Sequence, residues 1–442
     1  MRGKLLSGVL TVVLALSAAA AAAGQQPAQG AAQQPKYSPA EYQDYTAAQS
    51  EKNAQQRATL LEAFVAKWPQ SELLPYVYQL MVTTYAELRN FPKVMDSADR
   101  LLALGEKIDP WSRAQAIFQR CIAYQSAVKP GEVENAKKAI AAAETGAALV
   151  PQLQKPEQAT PEQWEAAKKQ LLTVFHHTAG FASMQMKDWT QAVKHFKEAL
   201  VSTPNDALTY YRMGVSAVSE PALAQDGFWA LARSIALKMQ NEGQVRTYLR
   251  NQILRYEQPT CDKFIDLQLN ELLALAGTAA ERPATFSIPS RDQLNKVLEG
   301  ATIDTIIADL KAGGDKAKLL GIAVCGAEFP ELGGKVFEAA GESDPVTLKV
   351  FTAGKVEDIE ASTEPNVEVK VEGQPAAAKL KKDDQIVYSG TIDGYTPEPF
   401  MLHLSKGKVK EDFLPKEEEK APAKKAPPKK TPNRRPPAKS GR

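Results

Sequence analysis

The sequence contains few of the residues from which enzyme active sites are built. Its 442 residues include only four histidines and three cysteines. No HExxH zinc motif, GxSxG nucleophile elbow or GxGxxG dinucleotide loop occurs. Gly334-Lys335 resembles the end of a phosphate-binding loop, but Val336 follows where such a loop needs Ser or Thr to bind magnesium. We therefore predict a protein that is not an enzyme and needs no cofactor or metal, and we keep an enzyme with an unfamiliar site as an alternative.

Cysteine is also too scarce for a disulfide framework. Cys121, Cys261 and Cys325 lie far apart in the chain, and no CxxC pair occurs. Three thiols cannot all pair within one chain, although one disulfide could form in an oxidising compartment. We interpret the cysteines as small buried apolar residues of helix faces, with the single disulfide as the alternative.

Long apolar runs are absent except at the N-terminus. Arg2 and Lys4 precede an apolar stretch over residues 5–16, and a run of alanines follows to Ala23. This order is typical of a secretory signal peptide, so we predict a cleaved signal over residues 1–23; an uncleaved membrane anchor is the alternative. No other segment reaches the about 20 apolar residues of a transmembrane helix. The expected location is the periplasm or cell envelope of a bacterium.

Charge is unevenly distributed along the chain. Residues 416–442 carry ten Lys or Arg, three Glu and six Pro, a net charge of +7. The whole chain carries +2 and residues 1–23 contribute +2, so residues 24–415 carry −7. This composition predicts a disordered basic tail that contacts an anionic envelope polymer or a lipid surface, with a solvated spacer as the alternative. Nucleic acid is not the expected partner, because an exported protein does not ordinarily meet it.

Two periodicities divide the remaining residues. Residues 24–39 are rich in Gln, Ala and Pro and predict a disordered linker. Over residues 40–280, apolar residues recur every three or four positions between Gly and Pro, which predicts short antiparallel helices. Residues 281–340 predict a connector of mixed, shorter helices. Apolar and polar residues alternate over residues 341–415, which predicts a small antiparallel β domain. The predicted fold is therefore mainly α, an α-solenoid followed by this β domain.

Small and bulky residues are regularly spaced in KDWTQAVKHFKEALVSTPND, residues 187–206. Ala192 and Ala199 lie two helical turns apart, and Phe196 shares their face. Small residues let two helices approach each other, while a large residue fills the gap beside them. Pro204 cannot continue the helix and ends the unit. The stretch predicts the second helix of a tightly packed helical hairpin.

Two glycines, Gly180 and Gly214, each lie inside the predicted first helix of a hairpin. Their spacing resembles that of the tetratricopeptide repeat, which has a period of about 34 residues and a small residue at its eighth position. The resemblance is clearest over residues 173–206, although His176 stands where the family usually has Trp. The residues that match the family's positions in this repeat are Gly180, Trp189, Ala192, Phe196, Ala199 and Pro204. A generic helical bundle is the alternative.

Neighbouring units match the repeat less closely. The matching residues of the next unit are Tyr210, Gly214 and Ala217. Its second helix is expected to be displaced by about three positions, so that Ala236 and Leu237 take the places of Ala199 and Leu200. Weaker units cover residues 75–102 and 112–149. The resemblance spans residues 40–256, about half of the chain.

The resemblance implies where a partner would bind. Repeats of this family stack into a superhelix whose inner face is lined by the first helices, and most members bind peptides or proteins there. The corresponding groove positions are Tyr76, Gln79, Thr83, His177, Phe181, Gln185, Leu208, Tyr211 and Val215. The resemblance thus implies an exported scaffold that mediates protein–protein interaction in the cell envelope, with a protein or peptide as its partner.

The β segment more weakly resembles a small barrel of the OB type. The alternation in VEVKV, residues 367–371, indicates a half-buried strand, and Gly390 would let a strand bend around a barrel. A β-sandwich is the alternative. Barrels of this type often bind oligonucleotides or sugars through aromatic and basic side chains. Here those side chains would be Tyr388, Tyr395, Phe400, Lys381 and Lys382. The alternative function is a module that binds an oligosaccharide or other anionic ligand, with the repeats as its platform.

Overall fold

The computed structural model describes residues 36–129, 131–341 and 344–415. The predicted signal peptide, nearly all of the predicted linker and the basic tail lie outside these residues. The described chain divides into two compact units. One consists of residues 36–257 and 264–288, and the other of residues 258–263 and 289–415.

The first unit is a helical solenoid whose helices pair in chain order. Its described helices are α1 (Pro39–Ser50), α2 (Ala54–Lys67), α3 (Leu74–Glu87), α4 (Phe91–Leu102), α5 (Pro110–Ala127), α6 (Val133–Leu149), α7 (Pro161–Gln185), α8 (Trp189–Ser202), α9 (Ala207–Ala217), α10 (Ala224–Ala236), α11 (Glu242–Glu257) and α12 (Ile265–Thr278). Each odd-numbered helix packs on the helix that follows it. The odd-numbered helices α3, α5, α7 and α9 also pack on one another in sequence. We call α1, α3, α5, α7, α9 and α11 the first helices.

Local capping determines where several of these helices begin. Asp109, Asp188 and Asp206 accept backbone N–H groups in the first turns of α5, α8 and α9. A capping box of Thr160 and Gln163 begins α7 at Pro161. Helix α7 is therefore 25 residues long and starts well before residue 173, where the predicted repeat begins.

The repeat residues pack largely as predicted. Ala192, Phe196, Ala199 and Ala217 are fully buried, and α8 ends at Ser202, just before the exposed Pro204. Phe196 belongs to the same apolar cluster as Met213 and Ala217 of the next hairpin. Trp189 begins α8, and both it and Tyr210 are only partly buried.

The two glycines of the repeat period face the second helix of their own hairpins. A Cβ atom on Gly180 would lie 2.8 Å from Cε1 of Phe196, and one on Gly214 would lie 2.7 Å from Cγ of Leu231. Leu231 lies 17 positions after Gly214, whereas Phe196 lies 16 positions after Gly180. The second hairpin is therefore displaced by a single position. The displacement of three, predicted from Ala236 and Leu237, is wrong.

The second unit combines short helices with a closed five-stranded barrel. Its described elements are helices α13 (Arg291–Leu298), α14 (Ile303–Ala312), α15 (Gly314–Val324) and α16 (Val356–Ala361), and strands β1 (Glu328–Ala340), β2 (Val346–Thr352), β3 (Val367–Val371), β4 (Gln385–Pro397) and β5 (Phe400–Val409). The strand order is β1-β2-β3-β5-β4, closed by pairing of β4 with β1. Closure excludes the sandwich. The β3–β5 pair is parallel, so the predicted wholly antiparallel sheet is wrong in this one pairing.

The barrel begins earlier than predicted. Strand β1 lies inside residues 281–340, the range predicted as a helical connector, so the predicted boundary at residue 341 is too late. The predicted alternation is confirmed in β3, where Val367, Val369 and Val371 are fully buried. Gly390 lies where the register of β4 against β5 shifts, and a Cβ atom there would be 2.8 Å from Cδ2 of Leu404.

One disulfide joins two segments of the second unit. Cys261 and Cys325 are bonded, with their Cα atoms 5.6 Å apart, a usual separation for a disulfide. The Thr260 hydroxyl also donates a hydrogen bond to the carbonyl oxygen of Cys325. The interpretation of these two residues as free apolar side chains is therefore wrong, because chain folding brings two distant segments of the sequence into contact. Cys121 is free and buried in α5, as predicted.

Candidate functional site

The predicted groove residues lie on three first helices, in two groups. On α3, Tyr76 is 54% exposed, and the amide of Gln79 donates to the side-chain oxygen of Gln115 on α5 at 3.4 Å. The hydroxyl of Thr83 donates a hydrogen bond to the carbonyl oxygen of Leu80. The second group, on α7 and α9, is His177, Phe181, Gln185, Leu208, Tyr211 and Val215. Two residues of the second group, His177 and Phe181, contact a side chain that the sequence analysis did not select.

That side chain is Arg212, on α9. Its guanidinium carbon lies 4.7 Å from the centroid of the Phe181 ring on α7, a cation–π distance. Its Nη1 atom is 3.0 Å from Nδ1 and 3.1 Å from Nε2 of His177. Tyr124 on α5 packs edge-on against Phe181, with 6.3 Å between ring centroids. Three successive first helices therefore contribute to one cluster, which we call the Arg212 cluster: Tyr124, Gln125, His177, Thr178, Phe181 and Arg212.

A directed hydrogen-bond chain holds the cluster together. Neutral imidazole has one donor and one acceptor nitrogen. The Nδ1 atom of His177 lies 3.1 Å from Oε1 of Gln125, an acceptor, so Nδ1 carries the hydrogen and Nε2 accepts from Arg212. The amide of Gln125 donates to the hydroxyl of Thr178 at 2.7 Å, and that hydroxyl donates to the carbonyl of Val174. These bonds fix the orientation of His177 beneath the guanidinium.

Electrostatics keep the imidazole neutral and the guanidinium charged. Burial, aided by the nearby charge of Arg212, lowers the pKa of His177 to about 3. Burial also lowers the pKa of Arg212 to about 10, and the negative charge of Asp206 opposes that shift. Asp206 itself caps α9 and accepts from the amide of Leu208 and the hydroxyl of Thr209. At neutral pH the cluster therefore presents one partly desolvated cation beside a neutral ring.

The arrangement is suited to binding an acceptor group. A guanidinium lying on an aromatic ring is oriented, yet its remaining N–H groups stay available as donors. Phe181 and Arg212 are both only partly buried, so the cluster has an accessible edge. By contrast, Tyr211 and Val215 pack against the apolar cluster of α10, α11 and α12, which gives them a structural contact as well as their predicted groove position.

Sequence reasoning missed Arg212, Tyr124, Gln125 and Thr178. Arg212 follows the predicted groove residue Tyr211, one position away from those that the repeat resemblance selects. The available signal was a lone cation in the otherwise uncharged stretch ALTYYRMGVSA of α9. Gln125 lies 52 residues before His177, so no local pattern links the two.

The barrel does not assemble the predicted ligand-binding side chains. Tyr388 is 1% exposed and its hydroxyl is bonded to the hydroxyl of Thr352 inside the barrel. The ring centroids of Tyr395 and Phe400 lie 6.4 Å apart, and both rings pack against the barrel core. Lys381 and Lys382 are exposed in the segment before β4. A cavity beside Thr260 and Arg291 has a volume of about 40 Å³, far below that of ordinary ligand pockets.

No protein-family model matches the chain, and no curated protein matches its sequence. Within residues 36–129, 131–341 and 344–415, no helix has the length and apolar character to cross a membrane. In the same part of the chain, no group of three or more His, Cys, Asp or Glu side chains could hold a metal ion.

Proposed function

We propose that the chain is an exported, non-enzymatic scaffold of tetratricopeptide-type repeats that binds a protein or peptide on the face formed by its first helices. The observation that carries the proposal is the Arg212 cluster, in which the oriented cation of Arg212 on α9 lies over the partly exposed ring of Phe181 on α7, with Tyr124 of α5 beside that ring. A binding face needs polar and aromatic groups that the core leaves accessible, and this cluster supplies them.

The packing of the hairpins supports the repeat assignment. Gly180 and Gly214 stand one repeat period apart, and each closely faces a bulky residue of its own second helix. Successive first helices pack side by side from α3 to α9, as in stacked helical repeats. The longer α7 and the displacement by one position in the next hairpin make this a degenerate form of the repeat.

Export is supported by two independent features. The N-terminal sequence has the order of a secretory signal, and the chain forms the Cys261–Cys325 disulfide. Disulfides persist in exported proteins and are rare in reducing compartments. The proposed location is therefore the periplasm or another part of the bacterial cell envelope, after removal of residues 1–23.

The test is an affinity capture from the envelope fraction of the native host. The mature chain is compared with Phe181→Ala, and with Val201→Ala as a matched control, because Val201 is 79% exposed on a second helix, α8. We expect mass spectrometry to identify one dominant protein that Phe181→Ala loses and Val201→Ala retains. Equal recovery by all three chains would remove the first-helix face as the working site.

A second candidate places ligand binding on the barrel, with the helical unit as a platform. The favouring observation is the strand order β1-β2-β3-β5-β4 with a parallel β3–β5 pair, which is the order of an OB-type barrel. Because Val346, Leu348 and Val350 fill its interior, a ligand would bind outside the barrel. Saturable binding of an oligosaccharide by the full chain, unchanged by Phe181→Ala, would support this candidate.

A further inference from the structure

We propose that Arg212 binds a carboxylate of the partner, so that the scaffold selects peptides carrying an acidic side chain or a free C-terminus. The inference rests on the proposed function, since it assigns the chemistry of a partner on the same face. It depends on Arg212 itself, which is not among the groove positions implied by the repeat resemblance.

Arg212 differs from the other buried or half-buried arginines of the described chain in what it contacts. Each of the others donates to an oxygen atom of a carboxylate or a backbone carbonyl; they are Arg57, Arg113, Arg120, Arg233, Arg250 and Arg282. Arg212 contacts the nitrogens of His177 and the ring face of Phe181. No ion pair found among the described residues includes it.

A partly buried cation without an oxygen acceptor is costly to keep. Desolvation disfavours a charged group unless hydrogen bonds to an acceptor replace its hydration. A guanidinium has five N–H donors, and the contact with His177 occupies only Nη1. Asp206, the carboxylate that acts on Arg212 through its charge, already accepts two hydrogen bonds at the start of α9. The remaining donors are therefore free for an acceptor from outside the chain.

A carboxylate fits this place better than a neutral carbonyl. A planar guanidinium can donate to both oxygens of a carboxylate, which gives a charge-assisted pair about twice as strong as a neutral hydrogen bond. Contacts with Phe181 and His177 already order the guanidinium, so little side-chain entropy remains to be lost on binding. Partial burial also weakens screening of the pair by salt.

The experiment uses four pools of random dodecapeptides, each labelled with an uncharged BODIPY dye, with the mature chain. The pools combine internal Asp/Glu or Asn/Gln with a free or an amidated C-terminus. Binding is measured by fluorescence anisotropy for the native chain, Arg212→Gln, and Lys194→Gln as the control, because Lys194 is an exposed cation on a second helix. We expect the best carboxylate pool to bind about 30-fold more tightly than the neutral amidated pool. Arg212→Gln should lose this preference and Lys194→Gln should keep it.

The outcomes separate this inference from the function on which it rests. Equal binding of all four pools, or a preference that survives Arg212→Gln, would overturn the carboxylate assignment and leave peptide binding intact. Binding of no pool would contradict the proposed function and the inference with it. If Arg212→Gln fails to fold, Phe181→Leu replaces it, since it keeps apolar bulk and removes the aromatic ring; the acidic preference should then fall. Whether the preference follows the side chain or the C-terminus identifies the source of the carboxylate.

Discussion

The ring of Phe196 occupies the space that a side chain on residue 180 would need. Cε1, Cδ1 and Cζ of that ring lie 2.8 to 3.0 Å from where the Cβ atom would be. Phe196 is fully buried in the second helix of the hairpin, where the close packing of a protein interior resists a shift of its ring. The close approach of α7 and α8 therefore requires glycine at residue 180, although glycine is a poor helix former.

The first prediction follows from this contact. We expect Gly180→Ala to lower the free energy of unfolding by about 1–3 kcal/mol, because the added methyl group overpacks the hairpin. Gly277→Ala is the matched control, since its Cβ atom would meet no atom within 4 Å. That change should stabilise the chain by up to about 1 kcal/mol through helix propensity. Urea unfolding of both variants measures the difference; stabilisation by Gly180→Ala would contradict the packing.

Much of the fold follows from patterns that can be read in the sequence. The burial of Ala192, Phe196 and Ala199 follows from their spacing on one helix face, and the burial of Val367 and Val369 follows from alternation. Strand β1 was missed because its pattern is irregular. Its pairing shifts between Phe329 and Leu332 and again between Val336 and Glu338, so apolar residues do not alternate along it.

The candidate site was only partly predictable. The repeat resemblance selects His177 and Phe181, and both belong to the Arg212 cluster. The contact of Arg212 with His177 joins side chains 35 residues apart on different helices. It depends on how the two side chains point across the interface between α7 and α9, which a repeat position does not specify.

The neutral state of His177 predicts a dependence of stability on pH. Its pKa is about 3 in the folded chain, against about 6.5 when unfolded. Between these values the unfolded chain binds more protons, so stability falls as pH drops below about 6.5. From pH 7 to pH 5 this residue should cost about 2 kcal/mol. His177→Gln should abolish this part of the loss of stability between pH 7 and pH 5. The control variant His403→Gln, in the barrel, should not abolish it. The midpoints of urea unfolding at pH 7 and at pH 5 measure this effect. An equal change in midpoint between the two pH values for His177→Gln and the native chain would refute the assignment.

The disulfide gives a prediction that can be checked by counting thiols. In denaturant without reductant, the mature chain should expose one thiol, that of Cys121, and three after reduction. Closing the loop between Cys261 and Cys325 should stabilise the native chain by about 4 kcal/mol by the chain-entropy estimate. Cys261→Ser/Cys325→Ser should lose that stability, whereas Cys121→Ser should keep the disulfide. Three reactive thiols before reduction would show that the bond does not form.

The basic tail, residues 416–442, lies outside the described residues, and its role is a prediction from charge. We expect the mature chain to bind anionic lipid vesicles, and we expect removal of the tail to abolish that binding. A variant in which Gln replaces every Lys and Arg of the tail keeps its length and prolines and serves as the matched control; it should also fail to bind. Binding should weaken from about 0.1 M to about 1 M salt, because the Debye length falls from about 10 Å to about 3 Å. Vesicle co-sedimentation measures both effects. Binding that ignores salt, or that survives loss of the tail, would assign membrane contact to another part of the chain.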